Sequence, residues 1–200
     1  MDRLREIRWK ELPYVSILLV AANVIVFLIS SVDHGRLLAA GRLSVNAVLV
    51  KGEYARLIWC MFLHSGFEHI LNNMVMLYFM GTMIEKAIGH VPYAIIYFLS
   101  GIGGGLLSLF IRVRMNDLAG SVGASGAIFG LDGLLLAMVL FYRRPLPEVT
   151  PQRVILMIAL SLYGGFTSEN IDNAGHVGGL LTGLLLGALF CICLRKHRAK

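Results

Sequence analysis

Six stretches of this chain are apolar over lengths that approach or reach the thickness of a bilayer, and that repetition constrains the fold more than any other feature. They cover residues 14–31, 67–84, 93–111, 124–142, 154–167 and 174–194, the fifth being the shortest. An α-helix rises about 1.5 Å per residue, so about 20 apolar residues cross about 30 Å of hydrocarbon. In lipid no water is at hand for backbone N–H and C=O groups, and each spanning segment must satisfy them internally. The expectation is therefore an all-α membrane protein, a bundle of six transmembrane helices. Composition excludes the soluble alternative, with 57% hydrophobic residues, 15% charged residues and a mean hydropathy of +0.74.

An even number of spans places both termini on one side, and the basic residues say which. Arg3, Arg5, Arg8, Lys10, Lys86, Arg143, Arg144, Arg153, Arg195, Lys196, Arg198 and Lys200 fall on one face, against Arg36, Arg42, Lys51, Arg56, Arg112 and Arg114 on the other. By the positive-inside rule both termini are cytoplasmic. The net charge of +6 is thus read as topology and not as a nucleic-acid surface. The organisation expected is a short cytoplasmic tail over 1–13, one membrane domain over 14–194 and a basic tail over 195–200. No small-residue cleavage site follows the first apolar run, so that run reads as a retained anchor. The cell membrane is the expected location. Cys60, Cys191 and Cys193 offer no disulfide framework and read as packing residues.

One connection is long, from Val32 to Gly66 on the outer face, and it mixes the apolar run Ala47-Val48-Leu49-Val50 with Lys51, Glu53 and Arg56. Such a mixture suits a segment lying partly in the membrane interface. Glycine is concentrated within the spans. Gly126, Gly130 and Gly133 line the fourth, and Gly179, Gly183 and Gly187 recur every four residues in the sixth, with His176 one turn above on the same face. Small residues at this spacing let helix backbones approach closely in lipid.

Ser125 opens the fourth span and His176 opens the sixth, fifty-one positions later. That separation runs down one helix, back up the next and over to the third, so both residues enter at similar depth from the outer face. If the two glycine faces meet, hydroxyl and imidazole come within hydrogen-bonding reach, which is what a base needs to take the proton of an attacking serine. Taken alone, Ser125 reads as a helix cap; an intramembrane histidine aimed at it reads as function. Hydrolysis through a serine also needs donors for the oxyanion. His69 and Asn73, four apart at the outer end of the second span, supply a candidate pair, and the amides of Gly123 to Gly126 another. His64, on the preceding loop, reads as a residue that holds that loop.

These residues together carry a resemblance. Gly-Ala-Ser-Gly around Ser125, His64 with His69 and Asn73 in His-Ser-Gly-Phe-Glu-His-Ile-Leu-Asn-Asn, Gly81 with Glu85 and Gly89, and His176 followed by Gly179 and Gly183 resemble the motifs of rhomboid intramembrane serine proteases. The resemblance implies a six-helix rhomboid-type bundle and a catalytic dyad of Ser125 and His176 with no acidic third member. It implies an oxyanion site of His69, Asn73 and the Ser125 amide, with supporting roles for His64, Gly123, Gly126, Phe129, Gly179, Gly183, Glu85 and Arg56. The reaction implied is hydrolysis of a peptide bond in or beside the transmembrane segment of a single-pass membrane protein, with entry near the fifth span. No metal or organic cofactor is required.

Some positions depart from the family pattern. Phe129 stands where a tyrosine is frequent, keeping an aromatic face without its hydroxyl. Arg56 fits a tryptophan-arginine pair, but Ala55 replaces the tryptophan and Trp59 follows one turn later, so altered loop anchoring is expected. Asp132, seven residues after Ser125 and about 10 Å deeper, is too far to complete a triad and reads as structural. Other chemistries fit less well. Glu68 and His69 do not give the His-Glu-x-x-His spacing of a zinc protease, and Asp132 has no intramembrane acidic partner for an aspartyl protease. The alternative from another class is an inactive rhomboid-like protein that binds and sorts transmembrane segments; the presence of both Ser125 and His176 argues against it. A small transporter would need interrupted half-repeats, which the chain lacks.

Overall fold

A computed structural model describes residues 12–141, 149–167 and 171–198. The N-terminal basic residues Arg3, Arg5, Arg8 and Lys10, the loop arginines Arg143 and Arg144, and Lys200 lie outside the described residues, as does most of the expected 1–13 tail. Eight α-helices are described: α1 (Tyr14–Val32), α2 (Arg36–Gly41), α3 (Arg56–Trp59), α4 (Phe67–Ile88), α5 (His90–Met115), α6 (Ser125–Phe141), α7 (Pro151–Thr167) and α8 (Asn173–Arg198). A π-helical turn (Asn46–Val50) and a 3-10 turn (Cys60–Phe62) complete the connection between α1 and α4. Among the described residues there is no strand, only an isolated antiparallel bridge between Leu43 and Ser121.

Burial is inverted relative to a soluble bundle. On α1 the buried residues are Ser16, Leu19 and Asn23, whereas Leu18, Ile25, Leu28 and Ile29 are exposed. On α4 the wholly buried Glu85 contrasts with exposed Phe67 and Phe79. An apolar exterior around a partly polar interior is stable only in a hydrocarbon solvent, and the chain is an all-helical integral membrane protein. By length and composition α1, α5 and residues 173–194 of α8 can each cross a bilayer, and α6 is a shorter apolar helix. Of the six expected spans, the second and fifth correspond to α4 and α7, which fall outside that group. α7 has 17 residues, and α4 carries His69, Asn72, Asn73, Glu85 and Lys86.

Two devices hold the bundle. The first is the Glu85 carboxylate, which accepts hydrogen bonds from the backbone amides of Val15 (2.9 Å) and Ser16 (2.8 Å), from the Ser16 hydroxyl (2.6 Å) and from His90 Nδ1 (2.5 Å). The amides of a first helical turn have no intrahelical acceptor, so a side chain of α4 caps α1 and joins it to the start of α5. The second device is glycine. A Cβ on Gly179 would lie 1.9 Å from the Gly126 carbonyl oxygen, and one on Gly183 would lie 1.8 Å from that of Gly130. On the other side, a Cβ on Gly104 of α5 would lie 2.6 Å from the Gly175 carbonyl oxygen. Backbone therefore touches backbone on two sides of α8, wedging it between α5 and α6.

The connection from α1 to α4 folds back on the bundle. Leu43, Val48, Cys60 and Met61 are buried, while Val50, Tyr54 and Trp59 are exposed. Arg56 Nη1 donates to the carbonyls of Ala39 and Arg42, each at 2.9 Å, and Nε donates to Glu53. Arg56 ties the connection to its own earlier turns, whereas Trp59, one turn after Ala55, lies exposed.

Candidate active site

Ser125 is the first residue of α6 and His176 lies in the first turn of α8. Their positions follow from the glycine contacts just described, since Gly126 and Gly179, which bring the two backbones together, neighbour them in sequence. The Ser125 hydroxyl lies within hydrogen-bonding distance of His176 Nε2, at 2.9 Å. The Phe129 ring stacks on the imidazole with centroids 4.3 Å apart and planes 18° from parallel. A face-on aromatic fixes the plane of the histidine ring, and Phe129 does so without a hydroxyl. His176 Nδ1 has no hydrogen-bond partner among the described residues.

The loop before Ser125 is shaped by Gly123, whose φ of 127° favours glycine. Its amide donates to the Cys60 carbonyl at 2.9 Å, and the bridge between Leu43 and Ser121 fixes the same loop two residues earlier. The space that a Gly123 side chain would fill is taken by His69, whose Nε2 lies 2.7 Å from the position of a Cβ, with Asn73 Nδ2 at 3.5 Å. The chain thus brings His69 and Asn73 of α4 against the loop that presents Ser125.

His64 does more than hold its own loop. Its Nε2 lies 2.9 Å from Asn73 Nδ2, and its ring meets His69 edge-on at 5.0 Å. Burial, aided by His69, holds the His64 imidazole down at about 4, so His64 is neutral and Nε2 accepts the Asn73 proton. This orients the Asn73 amide. His69 Nδ1 in turn contacts the Ser65 hydroxyl at 3.2 Å.

A small open hollow adjoins Ser125, lined by Cys60, Met61, Gly101, Gly105 and Asp172 among others. Burial pushes the Cys60 thiol up to about 12, which leaves it protonated and a poor nucleophile. Asp132 is buried in α6, and its Oδ1 has no hydrogen-bond partner among the described residues.

Asp172 was not singled out in the sequence, although a signal for it is there. It immediately precedes α8, and its Oδ1 accepts from the amide of Gly175, three residues on, at 3.0 Å. Asp before a helical run is an N-cap pattern. What the sequence does not carry is the partner of its other oxygen, Ser108, sixty-four positions earlier.

A family model described as the Rhomboid domain matches residues 51–193. RHOMBOID-like protein 1 of Arabidopsis thaliana is 40% identical over 157 residues, covering 76% of this chain and 38% of that protein. Rhomboid protease GluP of Bacillus subtilis (strain 168) is 32% identical over 180 residues, covering 88% of this chain and 34% of that protein. Putative rhomboid protease YdcA of the same bacterium is 33% identical over 153 residues, covering 76% of this chain and 75% of that protein. The chain thus spans less than half the length of the first two and most of the third. On the family match and the YdcA similarity, the chain belongs to the rhomboid family.

Proposed function

We propose that the protein is an intramembrane serine endopeptidase, and the observation that carries the reading is the 2.9 Å contact of the Ser125 hydroxyl with His176 Nε2. The distance is that of a base poised to take a hydroxyl proton. Ser125 Oγ attacks the carbonyl of a substrate peptide bond as its proton passes to His176. The negative charge that develops on the carbonyl oxygen is met by His69, Asn73 and the Ser125 amide. His176 returns the proton to the leaving amine, and water then releases the acyl group with the same imidazole as base. The plane of the His176 ring, held by Phe129, limits the loss of alignment between the two halves of the cycle.

In this reading the chain crosses the cell membrane six times with both termini in the cytoplasm, and the site opens to the outer face. Its substrates are single-pass membrane proteins cut in or beside their transmembrane segments. The apolar residues that surround the bundle support a substrate that arrives through the bilayer. The proteases named among the relatives support the reaction class. The test is cleavage of a panel of tagged single-pass substrates in liposomes by the wild type, Ser125→Ala and His176→Ala. Cleavage lost in both variants supports the dyad; cleavage retained by either refutes it. Folded wild-type protein that cuts nothing yet retains transmembrane peptides points to a binding role.

A further inference from the structure

The charged groups around Asp172 form a continuous chain that the dyad itself does not use. Asp172 Oδ1 caps α8 through the Gly175 amide, and the His176 amide donates to the Asp172 carbonyl at 3.1 Å. The turn that carries His176 is therefore hung on one residue. Asp172 Oδ2 accepts the hydroxyl proton of the buried Ser108 of α5 at 2.5 Å. Ser108 Oγ accepts from Arg112 Nε at 3.2 Å, and Arg112 Nη2 lies 4.0 Å from Asp172 Oδ2. Arg112 Nη1 also pairs with Asp117, whose Oδ1 accepts the Ala119 amide at 2.8 Å in the loop that leads to Ser125.

We infer that Asp172 is a positioning residue, which acts through Ser108 and Arg112 to hold the His176 turn in register with the loop that presents Ser125. The inference rests on the proposed Ser125 and His176 chemistry. The polarity of the chain fixes what residue 172 must be. Arg112 has only donors, so Ser108 must accept from it, and the single Ser108 proton must go to an acceptor that also faces a guanidinium. A carboxylate meets both demands while capping Gly175 with its other oxygen. An amide meets only one. With its oxygen on the Gly175 amide, its NH₂ confronts both the Ser108 hydroxyl and Arg112.

That asymmetry separates positioning from simple helix capping, because Asn caps a helix about as well as Asp. The full-length protein in liposomes is tested as wild type, Asp172→Asn, Ser108→Ala and the double variant. The measurements are kcat and KM for one cleaved substrate, the rate of fluorophosphonate labelling, and the thermal midpoint. Misplacement of reacting groups by about 1 Å costs about 100-fold. The expected result for Asp172→Asn is therefore a kcat lower by about 10- to 100-fold, with KM and the midpoint near wild type. Ser108→Ala shifts kcat in the same direction, and the double variant is no slower than Asp172→Asn, since both break one link. Wild-type kcat in Asp172→Asn reduces Asp172 to a cap and overturns the inference, as do effects that multiply in the double variant. If Asp172→Asn does not fold, wild-type kcat in Ser108→Ala overturns it alone. A folded wild type that neither cleaves nor labels refutes the hydrolase reading beneath it, a result distinct from an active wild type indifferent to residue 172.

Discussion

Gly179→Ala asks the most of the packing. The added methyl carbon is directed at the Gly126 carbonyl oxygen from 1.9 Å, where contacts under 3.0 Å are essentially never seen. The obstacle is backbone of the residue after Ser125, so no rotamer change relieves it. The difference between 1.9 and 3.0 Å requires α6 and α8 to part by about 1.1 Å at the level of the dyad, and overpacking of this kind costs about 1–3 kcal/mol. The Ser125 and His176 side chains start 2.9 Å apart. The same displacement along their line carries them to about 4 Å, beyond hydrogen-bonding reach. An error near 1 Å lowers turnover about 100-fold. The assay is liposomal cleavage with fluorophosphonate labelling, alongside Gly164→Ala, where a Cβ meets nothing within 4 Å and activity stays near wild type. A folded Gly179→Ala variant that cleaves at the wild-type rate refutes the claim that this contact sets the dyad distance.

Three further outcomes follow from the structure. If Asn73 is the proposed oxyanion donor, Asn73→Ala lowers kcat by about 100- to 1,000-fold with KM little changed; a rise in KM alone would show that Asn73 binds substrate without stabilising the transition state. Glu85→Gln leaves one acceptor oxygen among the four donors on that carboxylate. It costs about 1.5–3 kcal/mol, seen as a lower unfolding midpoint in detergent, and an unchanged midpoint contradicts the capping role. Asp132→Asn leaves cleavage within about twofold of wild type, because Asp132 lies beyond the reach of the dyad; loss of cleavage in a folded protein would place Asp132 in the mechanism.

The helices were legible because hydropathy in lipid reports length and boundaries directly. The runs at 14–31 and 174–194 lie within α1 and α8, and the run at 93–111 lies within α5, which extends further at both ends. Ser125 and His176 were legible as a pair because the glycine repeat on each helix tells which faces can touch. Cross-chain polar links were not. The capping of α1 by Glu85 joins residues 69 and 70 positions apart, and the bond between Ser108 and Asp172 depends on how deeply α8 wedges against α5. The bond that His64 makes from its loop was not legible either, since its partner Asn73 lies on a helix whose rotation was not fixed by the pattern. A period of 3.6 residues gives the face of a helix but not the depth at which two faces meet.

The most direct measurement is the mapping of a fluorophosphonate adduct by mass spectrometry on the wild-type protein in liposomes, repeated on His176→Ala. The dyad requires a single adduct on Ser125 in the wild type and its loss, or a large drop in its rate of formation, without the imidazole. An adduct on another residue, or Ser125 labelled equally fast in folded His176→Ala, would contradict it.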